Sequence, residues 1–201
     1  LSIKYPEGVT RYFGARALDE HQRCAERHAH IIGERLGLDG EHLSMLKLAA
    51  RLHDEGKAAP RWQRAFRAER SAVKAGTAGP LAKTDGPIDF ALLDGYRHEL
   101  GSLLKAEADP RLLELRPELR ELALHLIAAH HGFARPVISP RSCDVAPPSA
   151  LRDRVREIAL RFALLQARWG PWGLAWWESL LRAADQLASR ENAQADLEVH
   201  R

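Results

Sequence analysis

The residues in this chain best placed to do chemistry are His53 and Asp54, side by side in Leu52-His53-Asp54-Glu55-Gly56-Lys57. An imidazole nitrogen beside a carboxylate oxygen is a metal-ligand pair suited to Zn, Mn, Fe, Co or Ni. For an isolated dipeptide, a buried His–Asp hydrogen bond that only braces a core is the favoured reading. The other histidines change the balance. The sequence has 10 of them in 201 residues, and their placement matters more than their number. His21 falls in the first turn of the first expected helix, and His98 opens the fourth. His130 and His131 end the fifth, directly before Gly132. Asp185 lies within the last helix, flanked by Leu181, Ala184 and Ala188. A carboxylate on such an apolar stripe needs a partner, because an unpaired buried charge is costly. Most of these groups sit at helix ends, where a bundle can converge them on one pocket.

The elements that must position them follow from apolar periodicity and stop signals. Glu41 to Leu52 is apolar at Leu43, Leu46, Leu48, Ala49, Ala50 and Leu52, which predicts a largely buried helix, with Gly56 marking its stop. At a helix end the backbone can relax, so that both His53 and Asp54 turn toward one point. A first helix is expected from Leu18 or Asp19 to about Leu36, closed by Gly37 and Gly40, and a short third helix after Pro60. A fourth spans about Tyr96 to Glu107, and Pro110 and Pro117 each suit a helix start. Leu151 to Arg168 and Trp172 to Arg190 read as two further helices separated by Gly170-Pro171. Residues 1–17 read as an irregular N-terminal segment. Ala68 to Gly86 and Phe133 to Ser149 read as long loops, each following a stretch that carries candidate ligands. No run of alternating Val, Ile and Thr stands out, so the expected fold is an all-α bundle forming a single domain over residues 1–201, with two long loops near the metal site.

Composition bounds the class. No segment approaches the roughly 20 apolar residues of a membrane helix, and no signal peptide opens the chain, so a cytoplasmic, membrane-free protein is expected. The chain opens at Leu1 without an initiating Met, as a piece of something longer would. Cys24 and Cys143 are far apart and form no CxxC pair, which implies neither a disulfide nor a thiolate zinc site. The net charge of +3 argues only weakly for nucleic acid.

Local wording narrows the reading. Leu18-Asp19-Glu20-His21, His53-Asp54-Glu55-Gly56-Lys57 followed by Trp62-Gln63, Arg97-His98-Glu99-Leu100, Ala129-His130-His131-Gly132 and Ala184-Asp185-Gln186-Leu187-Ala188-Ser189 stand in that order. The pattern resembles the HD superfamily of metal-dependent phosphohydrolases. Within it, the chain resembles, from about His21 to Ser189, the HD nuclease domain of the CRISPR-associated helicase-nuclease of type I systems. The resemblance implies an HD-domain helical bundle, and two metals. His21, His53, Asp54 and Asp185 match the ligands of one; Asp54, His98, His130 and His131 match those of the second, with Asp54 as the bridge. It implies Asp54 as the catalytic centre of a phosphodiesterase acting on single-stranded DNA, a helicase partner and a CRISPR effector complex. Two metals about 3.5–4 Å apart suit a phosphodiester displacement on independent chemical grounds. The departure is the helicase. A chain of 201 residues leaves no room for its motor lobes, and no GxxxxGK[ST] phosphate loop is present, so the helicase is expected as a separate subunit or a fused domain.

Other residues divide between function and plain structure. Lys57 is read as a catalytic contact to phosphate or as an orienter of Asp54, with a solvated lysine an equal alternative. Phe133, Arg135 and Arg141 are candidate substrate contacts on the second loop, with Lys74 and Lys83 on the first. Arg61, Arg64, Arg67 and Arg70 form either a stripe near the site or a solvated face. His28, His30, His42 and His200 read as surface residues, and His125 as core or rim. Trp169, Trp172, Trp176 and Trp177 read as core or interface packing rather than a base-stacking platform. Two alternatives to the nuclease stand: a nucleotide-directed phosphohydrolase of the wider superfamily, and a non-catalytic module that binds a helicase or effector. The latter predicts eroded ligands, and every expected ligand is present.

Overall fold

The computed structural model describes residues 15–68, 79–84, 87–134 and 148–199, the side chains of the last stretch over 152–191. Helix α1 (Leu18–Arg35) begins with Asp19 and Glu20 in its first turn and ends with Arg35 in its last, charges that complement the helix dipole. Leu18, Gln22, Ala25, Ala29 and Gly33 recur at helical spacing and are buried. Gly37 takes a left-handed φ of 68° just beyond its end. Helix α2 (Gly40–Leu52) is capped by Asp39, whose side chain accepts from the His42 backbone N–H at 3.0 Å. Its Met45, Leu46, Ala49 and Ala50 are wholly enclosed. A 3₁₀ turn over Glu55–Ala58 leads into the short α3 (Pro60–Ala65), with Pro60 in its first turn.

Helices α4 (His98–Glu107), α5 (Pro110–Leu113) and α6 (Pro117–Ala129) follow. α6 is the centre of the bundle: every residue from Leu122 to Ala129 is buried. α7 (Pro148–Val199) is broken at Gly170, where φ of 68° and ψ of 168° are non-helical and Pro171 follows. α1 packs against α2 and α7, and α6 against α2, α4 and α7. One apolar core runs through these helices, from Ala25, Leu46 and Leu122 to Ile158, Leu181 and Ala188. A satellite cluster of Trp62, Phe66, Leu81, Leu93 and Tyr96 lies under α3.

The bundle is all-α apart from two short strands. β1 (Arg16–Ala17) pairs antiparallel with β2 (Leu81–Lys83). These strands correct two sequence expectations. Arg16 and Ala17 are not irregular, and the end of the stretch from Ala68 to Gly86 is not loop: Leu81 is fully enclosed and tied by Gln63, whose side chain donates to the Leu81 carbonyl and accepts from its N–H. Pro148 and Ser149, read as loop, belong to α7. Residues 69–78, 85–86 and 135–147, which include Lys74, Arg135 and Arg141, lie outside the described residues, as do Arg70 and His200.

A third correction concerns Gly56. It does not end α2, which stops at Leu52. A Cβ on Gly56 would stand 2.0 Å from the His98 carbonyl oxygen and 2.7 Å from the Ser102 nitrogen. The glycine is there so that the turn after Asp54 can press backbone to backbone on α4. Tyr96 Oη donates to the Gly56 carbonyl at 2.9 Å, and the Gly56 N–H donates to Ser102 Oγ at 2.8 Å, so the contact is hydrogen-bonded on both sides.

Candidate metal centre

Four helix ends and one helix face meet at Asp54. His53 is the C-cap of α2 and keeps helical dihedrals; Asp54, at φ −107° and ψ 4°, leaves the helix. That single departure lets adjacent side chains face one point. Both are fully buried, as are His21, His98 and His130. His98 is the first residue of α4, held against Asp54 by the Gly56 contact. His130 caps α6, and His131 follows with its surface toward solvent.

The two oxygens of Asp54 face different groups. Oδ1 lies 3.1 Å from His98 Nε2 and 3.7 Å from His130 Nε2. Oδ2 lies 3.4 Å from His53 Nε2 and 3.5 Å from His21 Nε2, and accepts from Lys57 Nζ at 2.6 Å. Asp185 completes the second group, with Oδ1 at 3.1 Å from His21 Nε2 and 3.6 Å from His53 Nε2. Asp54, His98, His130 and His131 thus form one set whose donor atoms could share a cation, and His21, His53 and Asp54 form another.

Tautomers follow from the backbone. Nδ1 of His53 sits 2.7 Å from the Ala50 carbonyl, and Nδ1 of His130 sits 2.7 Å from the Ile127 carbonyl. A carbonyl only accepts, so in each ring Nδ1 carries a proton and Nε2 faces the centre. Four buried atoms there, His53 Nε2, Asp54 Oδ1, His98 Nε2 and His130 Nε2, make no hydrogen bond. Leaving such groups unsatisfied costs about 1–3 kcal/mol each. Imidazole nitrogens and carboxylate oxygens converging on Asp54 fit divalent cations once any shared proton is shed, and the residues present are a chemically suitable set.

Charge divides the two groups. Burial opposes a proton on His53, but Asp54 and Asp185 outweigh it and push its pKa up to about 10. On the other side burial dominates: it brings His98 down to about 4, and with the neighbouring His130 and His98 it brings His131 down to about 3. Burial also works against charge on Asp54, yet Lys57 and His53 hold that carboxyl well below the usual range. Asp185 is likewise held low, against burial, by His21 and His53.

Of the remaining sequence expectations, Lys57 is not a solvated lysine; it is bound to Asp54. Phe133 is about half exposed, with the Arg97 guanidinium 3.2 Å from its ring centroid. Lys83 is part of β2. Arg61 donates to the Leu93 carbonyl at 3.2 Å, whereas Arg64 and Arg67 are exposed. His125 is core, hydrogen-bonded to Glu178 at 2.8 Å. Trp177 is buried and Trp169 partly so, but Trp172 and Trp176 face outward, which corrects core packing for those two: they fall on the outer side of α7 after the break at Gly170.

Sequence reasoning missed the groups behind the ligands. Glu99 is buried, with Oε2 3.4 Å from His98 Nδ1, and Arg97 binds its other oxygen. Trp62 packs its ring edge on His98, centroids 4.6 Å apart. The signal for Glu99 was present: a His-Glu dipeptide beside a helix start mirrors the His-Asp pair.

A helical bundle in which a His-Asp pair at a helix end gathers four further histidines and a second aspartate defines an HD-type, metal-dependent hydrolase. The chain belongs to the family described as Cas3, HD domain, whose model matches residues 13–195. That membership makes it a CRISPR-associated nuclease or phosphohydrolase of the HD type, and HD domains bind divalent metals. No curated protein and no solved structure matches the chain. Among the described residues, no helix is long and apolar enough to cross a membrane.

Proposed function

We propose that this chain is a single HD nuclease domain that cleaves single-stranded DNA at two divalent metals. It acts in the cytoplasm in CRISPR interference, beside a helicase subunit or fused helicase domain and an effector complex. The observation that carries the reading is the division of Asp54, one oxygen turned to His98 and His130 and the other to His21 and His53. His21, His53, Asp54 and Asp185 would hold one ion, and Asp54, His98, His130 and His131 the other, with Mn, Co, Ni, Fe or Zn suited to so many imidazoles. Such a pair of ions supplies Lewis acidity, a more acidic water and stabilisation of both the attacking and the leaving oxygen.

The chain's own residues do the rest. Asp54 would be shared between the ions, and Lys57, donating to Oδ2 at 2.6 Å, fixes the orientation of its carboxylate. Neutral imidazoles leave the centre net positive when loaded, which attracts a phosphodiester. His131, at the solvent side, marks where the backbone of the strand arrives. Phe133, Arg135 and Arg141 are the candidate contacts that would position the strand. A centre enclosed by converging helix ends admits a single strand more readily than an intact duplex.

The test is cleavage of closed circular single-stranded DNA by the chelated protein, with Mg, Mn, Co, Ni and Zn restored separately. Cutting of circles with little action on blunt duplex is expected. Equal rates on duplex sink the strand preference, and hydrolysis of free nucleotides alone transfers the site to the nucleotide-directed phosphohydrolases.

A further inference from the structure

Away from Asp54, a second set of donors joins α1 to α7. Cys24, His28 and Glu191 bring a sulfur, an imidazole nitrogen and a carboxylate oxygen within 4.8 Å of one another. Cys24 and His28 are four residues apart on α1 and so stand one above the other on one face. Glu191 reaches them from α7, its Oε2 2.8 Å from His28 Nε2. Burial is graded: Cys24 is enclosed, His28 half-buried and Glu191 exposed, so a cation could enter from the Glu191 side.

We propose that Cys24, His28 and Glu191 form a third metal site, selective for thiophilic divalent cations such as zinc, that staples α1 to α7. One sulfur, one nitrogen and one oxygen leave a fourth, open position in a tetrahedral zinc site. The Arg27 guanidinium now spans the same atoms: it donates to Cys24 Sγ at 3.2 Å and to Glu191. Guanidinium and metal cannot occupy the place together. On binding, the Cys24 S–H bond breaks, its proton leaves to solvent and the sulfur–metal bond forms, while Arg27, half exposed, swings outward.

The location gives the staple a consequence. α1 also carries His21, and α7 carries Asp185, and these two meet 3.1 Å apart at the Asp54 centre. Both pairs advance in the same chain direction, so the Cys24 site lies about two turns further along the same pair of helices. An ion there fixes the spacing of the helices that deliver His21 and Asp185.

Cobalt(II) titrated into the chelated full chain under a thiol-free reductant tests the site. The Asp54 centre contains no sulfur, so a thiolate-to-cobalt charge-transfer band in the near ultraviolet reports the third site alone, whatever the outcome at Asp54. The band is expected in the parent protein, in Cys143→Ser and in His53→Ala, and is expected to be lost in Cys24→Ser. Because Cys24 is buried, His28→Ala provides a second variant, with its fold checked by circular dichroism and its cobalt affinity reduced at least tenfold. Arg27→Ala should bind several-fold tighter, since its competitor is gone. No band in the parent protein, a band that survives Cys24→Ser, an unchanged cobalt affinity in His28→Ala, or weaker binding in Arg27→Ala overturns the proposal.

Discussion

The two sides of Asp54 use the same residue types and differ in charge. On one side two imidazoles, His21 and His53, share two carboxylates; on the other three imidazoles, His98, His130 and His131, share one. The proportion raises the proton affinity of His53, while burial still lowers that of His21 beside it. His53 is pushed up to about 10, whereas His98 and His131 fall to about 4 and about 3. Without metal, His53 therefore holds a proton at neutral pH, whereas His98 and His131 present bare lone pairs. The difference teaches that one carboxylate can face two groups of donors that differ in proton affinity.

The largest effect is expected where the two sides join. Asp54→Ala should lower nuclease activity at least about a hundredfold, because metal-centred charge stabilisation is worth several kcal/mol and each 1.36 kcal/mol is tenfold. Helical circular dichroism should persist. Parent-like turnover with unchanged metal content would remove Asp54 from the bridge.

Single-side variants separate the halves. His98→Ala and His21→Ala should each lose about one equivalent of metal by elemental analysis, from opposite sides, relative to a two-metal Asp54 centre. If either variant loses both ions or neither, the halves are not distinct sites.

The pH response sharpens the same contrast. The His21–His53 side must shed the His53 proton before loading, so its apparent affinity should rise about tenfold per pH unit as pH climbs toward about 10, then level. On the other side His98 and His131 are already neutral above about pH 5, so those two imidazoles add no pH dependence to loading from pH 6 to 9. Calorimetry of His98→Ala and His21→Ala in buffers of different protonation enthalpy reads the proton release. Equal slopes in the two variants would contradict the charge division.

Smaller effects fall on the supporting residues. Glu99→Gln removes the charge 3.4 Å behind His98 Nδ1 and should weaken metal binding about tenfold on that side only. Replacing Phe133, Arg135 and Arg141 together by Ala should weaken single-stranded DNA binding and flatten its salt dependence, with metal stoichiometry intact. An unchanged affinity and salt slope would place the strand elsewhere.

Much of this was legible in the chain. Apolar spacing, prolines at helix starts and Gly170-Pro171 locate the helices to within a few residues, because those signals act over one or two turns. Six of the seven candidate ligands are visible as residue types at helix ends and the seventh, Asp185, on an apolar helix face, and resemblance groups them. What local reading missed depends on contacts between segments distant in sequence. β1 and β2 pair across more than sixty residues, so neither strand has a local signature. Gly56 looks like a helix stop from its neighbours and is instead a close approach to α4.

The sequence by itself set out the candidate ligands and the helices that carry them, since residue type and period are both written in it. Folding decided the assignment of each oxygen. Which face of Asp54 meets His98 and which meets His53 depends on how α1, α4, α6 and α7 dock around α2. That docking also sets the proton affinities, because burial and neighbouring charge act through space and not along the chain.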